Sequence, residues 1–468
     1  MKKLINNILQ ITYSILIFLI LLSSTFYIFK NETILPIIVL IITLTIFILL
    51  KKIKLHKRIQ LNKKTIILLI LFGILIRVLL LFLNYKDVYS DEATFYYNAV
   101  KLANNTNINT RYIAVFPYLY SYILLLGSIM NFIGTGFKTV VLTNILLDML
   151  GSYFIYLIGN KLKNKELGIK MMILWLYNPL QILWCTKALP VIIVNTLFIV
   201  CIYTFIILLK SDTIKKKITL SIILGILLGV SNSFRPIFII FLIAMICYYI
   251  YNLLIKENKT DIKLINLIII IIIFITCNNF YTSLVSSKTN YKIGNNTSGW
   301  TLYLGSNLKS NGAWFEVSEF NEFLNSNEDE FDVQEIHNYF KEQAINNYKT
   351  YNVVDLIKLF TKKYYILTSN IPSYTYENTI SPLTNNKLTI ICKLYLIMFW
   401  ITLILNCITI KIKNIKNPIT IFLIIIEIGL ILSHLLVEVS PRYFMPLTVP
   451  LLLISKLEKS NKHIKISH

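Results

Sequence analysis

Apolar residues in this chain gather into long runs with short polar breaks between them. The runs cover 8–29, 34–50, 65–83, 115–133, 139–158, 169–183, 190–209, 218–231, 238–255, 262–281, 388–410, 419–437 and 444–454. Most approach the roughly 20 residues that a helix needs to cross a bilayer. None shows the strict alternation of the ~10-residue strands that build membrane barrels. The pattern predicts an all-α polytopic membrane protein, a bundle of about 11–13 transmembrane helices by run length and spacing.

The polar breaks set the orientation. Lys51, Lys52, Lys54, Lys57, Arg58, Lys63 and Lys64 follow the second run with no acid among them. Such loops stay on the cytoplasmic side. The first run, with Lys2 and Lys3 before it and no small-residue cleavage site after it, reads as an uncleaved signal anchor. The run 65–83 then crosses outward and places Tyr89-Ser90-Asp91-Glu92-Ala93 outside. One conflict follows. If 115–133 and 139–158 both cross, Lys161, Lys163, Lys165 and Lys170 fall outside. The later basic loops (Lys210 with Lys215, Lys216 and Lys217; Lys256, Lys259 and Lys263; Lys411, Lys413 and Lys416) alternate cleanly only if that loop is inside. Residues 113–159 are therefore expected to hold one full crossing and one partial or re-entrant helix. Both termini fall on the cytoplasmic side of a cell membrane, with the polar turn Glu438 to Tyr443 outside.

This gives five segments: 1–83, the spans leading to the acidic pair; 84–113, the first outer loop; 114–282, the transmembrane core; 283–370, an outer polar region with a juxtamembrane helix; and 371–468, the last spans and a basic tail. Within them, 92–102 predicts an interfacial helix carrying Phe95, Tyr96 and Tyr97. The outer region reads as a small α/β or mainly α unit. Residues 329–349 look helical, and 294–312 look like turns or short strands. The stretch 356–367 carries Lys358, Lys362 and Lys363 and is expected to lie on the outer surface.

Composition agrees. Of 468 residues, 56% are hydrophobic and 15% charged, against about 25% charged in soluble domains. The net charge of +23 invites a nucleic-acid partner, but the cations sit in short loops between spans and form no recognition motif. Cys185, Cys201, Cys247, Cys277, Cys392 and Cys407 lie in or beside apolar runs with no C-x-x-C pair, and read as small buried hydrophobes.

Candidate chemistry begins at Asp91 and Glu92. Ionised groups at a membrane edge are costly to bury, yet acids also suit a helix N-terminus, so the pair alone reads equally well as a cap. Charge placement changes the balance, because it puts Arg235, Glu438, Arg442 and the acidic outer region on the same face. A carboxylate there can act as general base on a hydroxyl or amine. Arginines can hold a phosphate by bidentate contact. The plainer roles are interfacial anchoring for Arg235 and Arg442 and helix punctuation for Pro236 and Pro441. Arg77, inside the third run, can snorkel, pair with a carboxylate or face a polar cavity.

The set resembles the GT-C class of polytopic glycosyltransferases, in the branch of protein O-mannosyltransferases and the lipid A aminoarabinose transferase. The matching residues are Ser90-Asp91-Glu92-Ala93 with Ala99 and Leu102, Phe116-Pro117-Tyr118, and Arg235-Pro236 after Gly225 and Gly229. Glu438, Pro441, Arg442, Tyr443 and Pro446 follow before the last run. Asn296-Thr297-Ser298-Gly299-Trp300, on through Gly305-Ser306-Asn307 to Gly312, is similar to bacterial members. The resemblance implies a polyprenyl-phosphate-linked sugar as donor and an outward-facing acceptor, whether lipid, protein or wall polymer. It makes Asp91 the base with Glu92 in support, and Arg235, Arg442, Glu438 and Tyr443 the donor and phosphate side. The lipid A branch has a basic residue before a Pro-Pro pair where this chain has Val115-Phe116-Pro117, so the missing cation falls to Arg111 or Lys187. Two additional N-terminal spans precede the matching region, and no large C-terminal soluble domain follows it.

A divalent cation on Asp91, Glu92 and a third carboxylate such as Glu438 is the lesser alternative, and no metal site is assigned. Three rival functions stay open. A flippase or polysaccharide transporter would use charges inside the membrane, such as Asp148 and Glu427. A polysaccharide polymerase or ligase shares the chemistry. A scaffold accounts for the hydropathy but not for the co-sided charges.

Overall fold

A computed structural model describes residues 2–31, 63–82, 85, 88, 90–255, 263–294, 297–327, 330–369 and 418–457. The expected spans at 34–50 and 388–410 lie outside the described residues. Those described are all-α: 18 α-helices and one 3-10 helix, with no β-strand among them. In chain order the helices are α1 Lys2–Asn31, α2 Lys63–Leu80, α3 Ser90–Ala103, α4 Thr110–Val115, α5 Tyr118–Ile133 and α6 Phe137–Leu162. Then come α7 Lys165–Leu176, α8 Pro179–Trp184, α9 Val191–Leu209, α10 Ile214–Phe234, α11 Phe238–Ile255 and α12 Leu264–Thr289. The outer region supplies α13 Gly299–Ser306, α14 Ser318–Asn325, α15 Val333–Thr350 and α16 Val353–Ser369. The chain closes with α17 Pro418–Leu436, the 3-10 helix Pro441–Leu447 and α18 Thr448–Leu457.

Among the described residues, five helices are long and apolar enough to cross a membrane: α6, α9, α10, α12 and α17. Their starts follow local chemistry. Thr213 caps α10 by accepting the Lys216 N–H at 3.4 Å, and Pro179 stands in the first turn of α8, where its missing N–H costs nothing.

Within residues 113–159 the helix at 137–162 is long and apolar enough to cross a membrane, while the one at 118–133 is shorter. Gly127 of α5 lies against Ala99 and Leu102, so close that an added Cβ would stand 2.7 Å from Leu102 Cδ2. The far end of α5 returns to the start of α3: the Tyr96 hydroxyl donates to Thr135 O at 2.8 Å. Phe137 then stacks near Tyr85 and Tyr96, at 5.0 and 5.5 Å between centroids. The turn needs Gly134, at φ +118°. So α5 folds back along α3, and α6, with 26 residues and roughly 39 Å of rise, has the length for a crossing. At its other end Lys210 Nζ donates to Lys161 O at 2.5 Å, joining the two basic loops that the charge pattern assigns to one side.

Arg77 is fully buried and paired, with Nε 2.7 Å from Asp148 Oδ2. Its Nη1 donates to Leu176 O at 2.7 Å and Gly73 O at 3.0 Å, and Trp175 Nε1 donates to Asp148 Oδ1 at 2.9 Å. The chain breaks its helix just there, at Tyr177–Asn178 before Pro179. The carbonyl left without a helical partner is taken by Arg77, which satisfies the backbone where lipid cannot.

Two expectations about the outer region are corrected. Residues 294–312 hold no strand among the described residues; α13 stands there instead, on a glycine whose Cβ would meet His337 O at 1.8 Å. The helix expected to lie on the outer surface at 356–367 packs inward as α16. Tyr364 donates to Leu16 O of α1 at 2.6 Å, and Lys363 is wholly buried rather than snorkelling. The helix foreseen over 329–349 is α15, which starts where Asp332 accepts the N–H groups of Gln334 and Glu335 at 2.6 and 3.1 Å.

Candidate functional site

Four segments meet at one end of the bundle: the start of α3, the loop before α9, the end of α10, and the turn from Glu438 into the 3-10 helix. Each arrives there for a local reason. Ser90 opens α3 at φ +55°; the other positive-φ residues outside glycine are all asparagines, for which that region is ordinary. This left-handed step brings Asp91 and Glu92 into the first turn, where the helix dipole favours carboxylates. Arg235 precedes Pro236, which disfavours helical backbone at the residue before it. Accordingly α10 ends at Phe234 and Arg235 is extended, at φ −162° and ψ 128°. Pro441 starts the 3-10 helix that presents Arg442 and Tyr443.

The side chains converge. Arg442 makes an ion pair with Asp91 through Nη1 and Oδ2, at the open edge of the site, where the two side chains are 18% and 39% exposed. Both arginines stand over the Tyr443 ring: the guanidinium carbon is 4.2 Å from the centroid for Arg235 and 5.3 Å for Arg442. Arg442 Nη2 also donates to the Tyr443 hydroxyl at 3.4 Å. The His434 ring stacks on Tyr443 at 5.4 Å, 20° from parallel. Arg235 forms no ion pair with a carboxylate among the described residues.

Glu92 turns the other way. Its Oε1 lies 3.0 Å from Lys187 Nζ, and its Oε2 accepts the Ala188 N–H at 3.3 Å. Lys187 is 1% exposed. Burial pushes the Glu92 carboxyl up and the Lys187 ammonium down, and their mutual contact opposes both shifts. Asn144 fixes this loop by donating to Cys185 O and Lys187 O at 3.2 and 2.8 Å.

Glu438 is buried beside the arginines. Its own N–H donates to Thr301 O at 2.7 Å, and the Val439 N–H to Gly312 O at 2.9 Å, so α13 and the turn after it clamp this segment. Burial raises the Glu438 carboxyl, opposed by Arg442 and by a hydrogen bond from Tyr443.

Of the residues singled out in the sequence, Asp91, Glu92, Arg235, Glu438, Arg442, Tyr443 and Lys187 are brought together. Arg111 is not in this cluster. Its Nη1 donates to Leu324 O and Ser326 O at 3.0 and 2.6 Å, its Nε to the Tyr291 hydroxyl at 3.2 Å, and its guanidinium covers Phe331 at 5.1 Å. Those contacts tie α4 to the outer region. Three residues of the site were missed. Tyr112 lies close enough to Asp91, Glu438 and Arg442 to feel their charges, and burial raises its hydroxyl. His434, within an apolar run, carries no pattern that marks it, yet it stacks on Tyr443. Lys363, which read as a surface lysine, donates to Gly305 O at 2.8 Å and lies within reach of the Glu438 charge. Burial pushes its ammonium down to about 7. Among the described residues, no three His, Cys, Asp or Glu side chains stand close enough together to hold a metal ion.

Chemically, the arrangement gathers two guanidiniums on one tyrosine ring with a partly exposed carboxylate beside them, a set of charges that can receive an anion. No protein-family model matches the chain, and no curated protein matches it. Among solved structures it is similar to ArnT from Cupriavidus metallidurans, in a crystal structure bound to undecaprenyl phosphate. The TM-score is 0.42 at 9% identity, over 85% of this chain and 78% of that one. The likeness is slight, and the functional argument stands on the site's own geometry.

Proposed function

We propose that this protein is a membrane glycosyltransferase of the GT-C type, moving a sugar from a polyprenyl-phosphate donor to an acceptor on the face where the site opens. The observation that carries the reading is the pair of guanidiniums on the Tyr443 ring, one of them without a carboxylate partner among the described residues, beside Asp91. Two cations gathered on one ring repel one another, and a bound anion offsets that repulsion. A phosphodiester supplies that anion and gains from fork-like contacts with arginine.

Asp91 is the general base. It takes the proton from the acceptor's hydroxyl or amine as the acceptor attacks the anomeric carbon. Arg235 and Arg442 stabilise the charge growing on the departing phosphate. Glu92 holds Lys187 and the loop before α9 in place, and Glu438 orients Arg442 and Tyr443. Asp148, which a transporter would use within the membrane, is instead occupied by Arg77 and Trp175.

Arg235→Gln tests the phosphate side. Membranes carrying the variant, supplied with a labelled polyprenyl-phosphate sugar, are expected to lose about 10²–10³-fold in transfer, the usual cost of removing one stabilising donor. Transfer at the wild-type rate would refute the assignment.

A further inference from the structure

We propose that Arg442 serves two anions in turn, holding Asp91 in the empty site and passing to the donor's phosphate when the donor binds, so that donor binding frees the base. This rests on the donor-site reading above and adds an order of events to it.

The geometry supplies three reasons. First, the partner of Asp91 is one of the two arginines held on the Tyr443 ring. While the pair is closed, Asp91 Oδ2 is taken up by Arg442 and is not open to an acceptor's proton. Second, the pair sits at the open edge of the site, and partly exposed ion pairs are weak and readily exchanged. Its neighbour behaves differently: Glu92 and Lys187 form a closed pair, with Lys187 buried and the carboxylate also held by the Ala188 N–H. The two adjacent acids thus have separate cations, one fixed and one exchangeable. Third, Arg235 stands over the same tyrosine ring with no carboxylate partner among the described residues, a second guanidinium for an incoming phosphate.

The exchange fits the charge changes of the reaction. The acceptor's O–H or N–H proton goes to Asp91, and the acceptor atom bonds to the anomeric carbon. The bond from that carbon to the phosphate oxygen breaks, and its electron pair leaves with the polyprenyl phosphate. The phosphate gains one negative charge as Asp91 loses its own. Both changes hold Arg442 on the product until Asp91 releases its proton. The order that follows is donor first, acceptor second.

Binding of polyprenyl phosphate, without the sugar, to the full chain in lipid nanodiscs tests this. If Asp91 competes with phosphate for Arg442, Asp91→Asn binds the probe more tightly than wild type, by up to about 5-fold, the range expected for losing a partly exposed competing pair. In an Arg442→Gln background the same change has no effect. Asp91→Ala is measured beside it, so that poor folding of one variant leaves the other to decide. Probe affinity unchanged or weakened in the Asp91 variants, while Arg442→Gln still weakens it, would overturn the exchange and leave Asp91 as a support for Arg442. If Arg442→Gln and Arg235→Gln both bind like wild type, the donor-site reading itself fails and the exchange with it.

Discussion

Tyr443 is the residue on which the site's charges are arranged, with an arginine from α10 and its own chain neighbour over its ring and His434 stacked against it. Burial pushes its hydroxyl up to about 12, so it stays protonated and can donate to Glu438. Each cation–π contact contributes about 0.5–2 kcal/mol. Tyr443→Leu is therefore expected to raise the donor KM by about tenfold or more, while Tyr443→Phe, which keeps the ring, stays within about threefold. Steady-state transfer kinetics with varied donor would show this. At this scale the sequence was informative where a residue's type clashed with its surroundings. Adjacent acids after a span, and arginines beside prolines at span ends, stood out and do converge. Lys363 did not, because a lysine on a mostly apolar helix is normally a snorkelling side chain. Arg111 misled for a related reason: its partners are backbone carbonyls more than 200 residues away, at Leu324 and Ser326, which no local pattern reports.

Among the elements, α16 departs most from expectation, and the cause is Lys363. Its stem packs under Gly312, where a Cβ would come within 2.6 Å of Lys363 Cδ, and its ammonium ties Gly305 of α13. The turn from Gly305 to Gly312 in turn grips the backbone of Glu438 and its neighbours, through Val439 N–H to Gly312 O. The helix thus braces the arginine-bearing turn from below. The brace has a pH signature. The Lys363 ammonium falls from its ordinary 10.5 to about 7 on burial. Between those values the unfolded chain binds a proton at Lys363 that the folded chain does not, so the contribution of this group to stability rises with pH across that window. Thermal unfolding in detergent from pH 7 to 10 is expected to show a smaller rise for Lys363→Met than for wild type. Parallel curves would remove Lys363 as the source. The apolar pattern located the run 115–133 correctly but could not tell a crossing from a return. That difference is set by the glycine turn at 134–136 and by Tyr96 reaching Thr135, a contact between segments 39 residues apart.

For the whole molecule, the charge pattern and the packing agree on one arrangement. Lys161 and Lys210 meet at one end, and Asp91, Lys187, Arg235 and Arg442 lie at the other end of the helices that join them. In a cysteine-free background, a single cysteine at Lys163 or Lys210 should therefore react with a membrane-impermeant reagent from the same side, and one at Lys101 from the opposite side. Labelling of positions 163 and 101 from one side would break the assignment of α6 as the crossing helix. The all-α class and the positions of most described helices were legible because a bilayer imposes a length and a composition on each crossing. The inward course of α16 and the Arg77–Asp148 tie were not, since both depend on which helices become neighbours.

In the proposed reaction Asp91 takes the acceptor's proton. Asp91→Asn keeps the size and removes the base, so the direct measurement is sugar transfer from a labelled polyprenyl-phosphate donor by membranes holding equal amounts of inserted wild-type and variant protein. General-base catalysis contributes about 10²–10⁴-fold, and a loss of that size with donor binding retained is the expected result. Transfer by Asp91→Asn at the wild-type rate would contradict it.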